Sequence, residues 1–90
     1  MTVERVEQIR QRLEQAFEPE SMEVDDDSHK HVGHEGAKGG LGHFSVMIVS
    51  AHFSGMPVLA RHRAIYAALG DMMQNEIHAL AIEAIASDEL

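Results

Sequence analysis

The chain has no cysteine and no tryptophan, and only three phenylalanines and one tyrosine among its 90 residues. Without a thiol there is no disulfide and no thiolate nucleophile. With so few aromatics, the core has to be built from Leu, Ile, Val, Ala and Met. Long apolar runs are missing as well: nothing approaches the ~18–20 residues of a membrane-spanning helix. The opening "MTVERVEQIRQ" is charged and amphipathic and lacks the apolar stretch of a secretory leader. The expectation is a cytoplasmic protein with no membrane association. The last residues, "SDEL", look like an endoplasmic-reticulum retention tail, a match expected to be coincidental in the absence of a leader.

What is present fits one small folded domain, expected over residues 1–90. The apolar fraction of 44% is ordinary for a globular chain. The formal net charge of −8 is unevenly spread. The first 27 residues and the last 20 are strongly acidic, and the middle segment is mildly basic. The total opposes nucleic-acid binding through counterion release, while the middle segment alone does not exclude it.

Periodicity sets out the elements. Val6, Ile9, Leu13, Ala16 and Phe17 form one apolar stripe, which predicts a helix over about 3–17, with Thr2 as its cap and Pro19 as its stop. "SMEVD" at 21–25 alternates and reads as a short strand with Met22 and Val24 on one side. "HFSVMIVS" at 43–50 is the clearest strand, with Phe44, Val46 and Ile48 on one face. The connection between them, 26–42, is long for a hairpin, and five glycines with no apolar pattern predict a mobile loop. Pro57 suits the start of a second helix, whose stripe runs through Leu59, Ile65, Leu69, Met72 and Met73. Gly70 is a soft spot near its end. "IHALAIEAIA" at 77–86 fits strand alternation and helical spacing about equally well.

"SHKHVGH", then "GHFSVMIVSAHFSGMPVLARHRAIYAALGDMM", then "IHALAI" together resemble the BolA family, over about residues 3 to 86. The combination F-S-G-x5-R-H-R-x-I-Y followed by I-H-A-L carries the resemblance. It implies an α+β fold, α-β-β-α-β, similar to class II KH domains, with a three-stranded sheet and helices on one face. On that fold 77–85 is a strand. The resemblance also implies pairing with a monothiol glutaredoxin, as a heterodimer that shares a 2Fe-2S cluster with glutathione. A role in transcription regulation is described for founding members of the family.

A chain without thiols cannot hold a 2Fe-2S cluster alone by the usual ligation, but it can add imidazoles to a cluster whose thiolates come from a partner. By resemblance, His78 in I-H-A-L is the fixed ligand, against the plain reading of a half-buried strand histidine. His31 corresponds best to the loop ligand of the family. His34 is the runner-up, with His29 a further candidate, and a solvated loop of idle histidines is the bland alternative. His29, His31 and His34 also suit opportunistic zinc or nickel binding. Asp25, Asp26 and Asp27 read as a solvated acidic turn. Arg61, His62 and Arg63 are candidates for contact with an acidic partner surface or glutathione carboxylates. The alternative for these three is helix surface charge, with His62 packed on the sheet. His43 and His52 read as structural or solvent-facing.

No nucleophile elbow and no phosphate-binding loop is present, so an enzyme is not expected. Two functions remain: an iron–sulfur partner protein in cluster assembly, trafficking or iron sensing, and a KH-like nucleic-acid-binding regulator. KH domains clamp nucleic acid with a G-x-x-G backbone. Here "GMPV" at 55–58 replaces the second glycine by valine, and Pro57 removes a donor. With the net charge, this favours the first function and leaves at most weak DNA binding.

Overall fold

The computed structural model describes residues 2–27 and 42–90. The order of elements is α1 (Thr2–Phe17), β1 (Ser21–Asp26), β2 (Gly42–Ser50), a 3-10 turn (Ala51–Phe53), α2 (Val58–Leu69), a short α3 (Met72–Asn75), β3 (Ile77–Ala86) and a final 3-10 turn (Ser87–Glu89). The fold is α+β, with a sheet in the order β1-β2-β3. β1 and β2 are antiparallel, as a hairpin requires, and β2 and β3 are parallel. The helices lie on one face of the sheet.

The core follows the apolar periods. Ile9, Leu13 and Phe17 of α1 are buried against Phe44, Val46 and Ile48 of β2, with Ile65 and Leu69 of α2 and Phe53 from the turn. Each such side chain contributes about 1.5–3 kcal/mol by leaving water. Met22 and Val24 of β1 and Leu80, Ile82 and Ala84 of β3 pack on the same core from the sheet side. Ala16, placed on the α1 stripe by spacing alone, is exposed.

One buried polar group ties α1 to the sheet. The Ser50 hydroxyl donates to the Phe17 carbonyl at 2.6 Å and accepts the His52 N–H at 3.1 Å, capping the 3-10 turn. It satisfies a carbonyl at the end of α1 that the helix cannot satisfy internally.

The second helix is not continuous through Met73. It ends at Gly70, whose φ of 57° and ψ of −128° are closed to other residues. Its N–H still bonds the Tyr66 carbonyl at 3.0 Å. Arg12 from α1 locks this corner by donating to the Leu69 carbonyl and, at 3.2 Å, to Asp71. Leu59 also departs from the expected stripe: the line facing the core is Arg61, Ile65 and Leu69, and Leu59 is 61% exposed.

Candidate functional site

β2 and β3 begin together, and their pairing slips at the first step. Gly42 lies opposite Ile77, but His43 lies opposite Ala79, so β3 carries one extra residue there, His78. A bulge of this kind re-aims a side chain and often sits beside a functional site. Here it lets both Ile77 and Leu80 turn toward the core. His78 is expelled and exposed. Simple alternation had placed His78 on one side with Leu80 and Ile82, and the bulge overrides it.

The expelled ring does not stand alone. His43, half-buried on the face of β2 opposite Phe44, has its ring centroid 5.0 Å from that of His78, with the planes at 50°. No local pattern joins these two residues, 35 positions apart; parallel pairing of β2 with β3 does. Two backbone bonds fix the corner: Gly42 N–H to the Glu76 carbonyl at 3.0 Å and Asp27 N–H to the His43 carbonyl at 2.7 Å.

The acidic triplet is not a solvated turn. Asp25 and Asp26 belong to β1, opposite Ser45 and Phe44, and Asp27 accepts a bond from the Ser45 hydroxyl. His29, His31 and His34, and the expected mobility of their loop, lie outside the described residues. Among the described residues no group of three or more His, Asp or Glu side chains is placed to hold a metal ion. The corner can therefore offer imidazole nitrogen to a group anchored elsewhere, which is what the donor set of a chain without cysteine permits.

Arg61, His62 and Arg63 separate. Arg61, taken from the sequence as a partner contact, is a correction: it is 6% exposed and turned inward. Its Nε donates to the Met56 carbonyl at 2.9 Å, and its Nη1 to the Ala84 carbonyl at 3.0 Å. Nη1 and Nη2 each meet a Glu89 carboxylate oxygen at 2.8 Å. The bonds to Arg61 and to the Ala86 N–H hold the Glu89 carboxyl at about 2, below its ordinary 4.5. The physical reason for the inward turn is the company Arg61 keeps: it shares its helix face with Ile65 and Leu69, and its guanidinium finds acceptors there. Two positions away, Arg63 is exposed, and His62 is half-buried. Around them α2 shows an apolar strip to solvent: Val58 and Leu59, each 61% exposed, and Tyr66, 41% exposed. This strip is a candidate contact surface.

The profile of the BolA-like protein family matches residues 13–89. SufE-like protein 1, chloroplastic/mitochondrial, of Arabidopsis thaliana is 41% identical over 81 residues, 84% of this chain and 22% of that protein. The solved BolA domain of SufE1 from Arabidopsis thaliana superposes with a TM-score of 0.84 at 40% identity, covering 96% of this chain and 95% of that one. Protein BOLA1, chloroplastic, of the same plant is 38% identical over 87% of this chain and 51% of that protein; the solved BolA1 has a TM-score of 0.81 over 94% of each chain. The DNA-binding transcriptional regulator BolA of Escherichia coli is 40% identical over 84% of this chain and 70% of its own length. The chain thus spans about a fifth and about a half of the two plant proteins. Their names correct the expected cytoplasmic location, because both relatives are organellar. The charged amphipathic opening on which that expectation rested is simply α1 of the fold, and it says nothing about compartment.

Proposed function

The chain belongs to the BolA-like protein family, and from that membership we propose that it is an iron–sulfur partner protein, acting as one BolA-like domain over residues 1–90. As a BolA-family domain it is not an enzyme. In this reading it forms a heterodimer with a monothiol glutaredoxin and donates histidine nitrogen to a 2Fe-2S cluster held otherwise by the glutaredoxin and glutathione. That cluster supplies the redox and transfer chemistry. The residues here supply a neutral ligand and a surface that selects the partner.

The observation that carries the reading is His78 on its bulge, exposed beside His43 at a corner bonded through Gly42 and Asp27. The bond from Gly42 to the Glu76 carbonyl anchors the chain two residues before it, which supports a ligand role that needs little backbone reorganisation. The second ligand of the proposal is His31, with His34 its alternate. Asp27 is bonded to His43, and the four residues from there to His31 span at most about 14 Å of extended chain. That reach supports delivery of the loop to the same corner. Arg63 and His62, flanked by Val58, Leu59 and Tyr66, are the proposed partner contacts on α2.

The test is to titrate the chain into a monothiol glutaredoxin that carries its cluster and to follow visible circular dichroism. A new spectrum saturating at equimolar chain is expected. A glutaredoxin spectrum unchanged at excess chain removes the proposal.

A second reading is a KH-like regulator that binds nucleic acid, supported by the name of the Escherichia coli relative. The net charge of −8 weighs against it. So does the turn at 54–57: Arg61 grips its Met56 carbonyl, and Val58 stands where a clamp needs glycine.

A further inference from the structure

β3 lies at one edge of the sheet, with β2 on one side only. Along a strand, the N–H and C=O of alternate residues point to opposite edges. Two bonds show which residues of β3 face outward. The Ala84 carbonyl accepts from Arg61, and the Ala86 N–H donates to Glu89 at 2.9 Å. Neither Arg61 nor Glu89 belongs to β2, so these groups look away from it. Leu80 and Ile82 share their parity and present their N–H and C=O groups to the same edge. No backbone or side-chain bond from a described residue meets them there.

An open strand edge is a template for pairing, and proteins usually blunt it. Here the blunting is partial. The Arg61–Glu89 pair closes the carboxyl-terminal end at Ala84 and Ala86. The bulge at His78 ends regular pairing at the other end. Among the described residues, a window stays open between the two stops, from Leu80 to the Ala84 N–H. Its side chains suit a partner: Leu80 and Ile82 are only half-buried, and Ala79 and Ala81 are exposed on the other face.

We propose that this window of β3 is a docking edge at which an extended, basic segment of a partner protein adds as a fourth strand. Charge selects the occupant. Glu83 and Asp88 stand exposed at the window and beyond its end, and the chain as a whole carries −8. A second copy would bring the same −8 to the contact and is disfavoured. A strand with Lys or Arg at alternate positions is favoured, with main-chain bonds giving affinity and the basic residues giving selectivity. The Arg61–Glu89 pair limits the added strand to a few residues, so binding is weak and reversible. The proposal is independent of the iron–sulfur reading, and its test uses no cluster.

The experiment follows single amides by hydrogen exchange on the full chain. In the free protein, Leu80, Ile82 and Ala84 are expected to exchange at least about tenfold faster than Ala81 and Glu83, which face β2. A blocked peptide of alternating Lys and Val, at millimolar concentration, is then expected to protect Leu80 and Ile82. The matching Glu–Val peptide is not, and Glu83→Lys, on the exposed face, is expected to reverse that preference. Equal protection of all five amides in the free chain overturns the proposal, because the edge is then already covered. Equal protection by both peptides overturns the charge argument. Protection that grows with chain concentration alone, together with a dimer by sedimentation, replaces the basic partner by a second copy.

Discussion

Arg61 grips Glu89 through two 2.8 Å bonds, one from each terminal nitrogen, and in doing so ties α2 to the 3-10 turn that follows β3. The pair is the reason a charged residue can sit among Ile65 and Leu69. A paired charge is tolerated inside a protein, and removal of one partner leaves the other uncompensated.

A pH dependence follows. The Glu89 carboxyl is held at about 2 in the folded protein, chiefly by its hydrogen bond to Arg61 and then by the Ala86 N–H, and it returns to its ordinary 4.5 on unfolding. A lowered folded value means stability that is fully present above 4.5 and is lost as pH falls toward 2. Glu89→Gln should therefore be less stable than the native chain at pH 7, and the gap should close progressively below pH 4.5. Urea midpoints of both proteins from pH 7 to pH 2.5 check this. A gap that is constant across the range would show that the charge on Glu89 contributes nothing.

Ser50→Ala should cost about 1–3 kcal/mol, because it strands the buried Phe17 carbonyl and removes the cap of the following turn. Chemical denaturation measures it directly. Ser50→Thr, which keeps the hydroxyl, should recover part of the loss.

Gly70→Ala should destabilise the fold by about 1–3 kcal/mol, since φ 57° with ψ −128° strains any side chain. An added Cβ would stand 3.5 Å from Arg12 Nη1, an ordinary contact, so the cost comes from the backbone rather than from a clash. A melting temperature equal to that of the native chain would contradict it.

His78→Ala should abolish the mixed-ligand spectrum with cluster-loaded glutaredoxin, because no other imidazole is carried on the bulge. His31→Ala should leave a weaker and more labile spectrum, since His29 and His34 lie within three residues of it. Visible circular dichroism of each variant separates the two. An unchanged spectrum with His78→Ala takes that residue out of the site.

Leu59→Glu should weaken the proposed heterodimer by roughly tenfold or more if the apolar strip of α2 is its contact. Leu59 is 61% exposed, so the fold should be untouched. Calorimetric titration against the glutaredoxin, with a melting curve as control, tests both halves of this statement.

The sequence determined by itself what depends on short-range period and backbone chemistry. Val6, Ile9, Leu13 and Phe17 set α1, Phe44, Val46 and Ile48 set β2, and the F-S-G, R-H-R and I-H-A-L motifs carried the family. Periodicity alone left 77–86 undecided, because an alanine-rich apolar run satisfies both periods; the family motifs made 77–85 a strand, and parallel pairing with β2 bears that out. The tertiary structure alone decided the bulge, since the slip between Gly42 and His43 depends on two strands and is written in neither. The same holds for the meeting of His43 with His78 across 35 residues. It holds again for Arg61, where the sequence shows a cation on a helix, and only packing reveals that Met56, Ala84 and Glu89 have turned it inward. Contacts between residues distant in the chain are set by which surfaces the core brings together, and no local pattern encodes that.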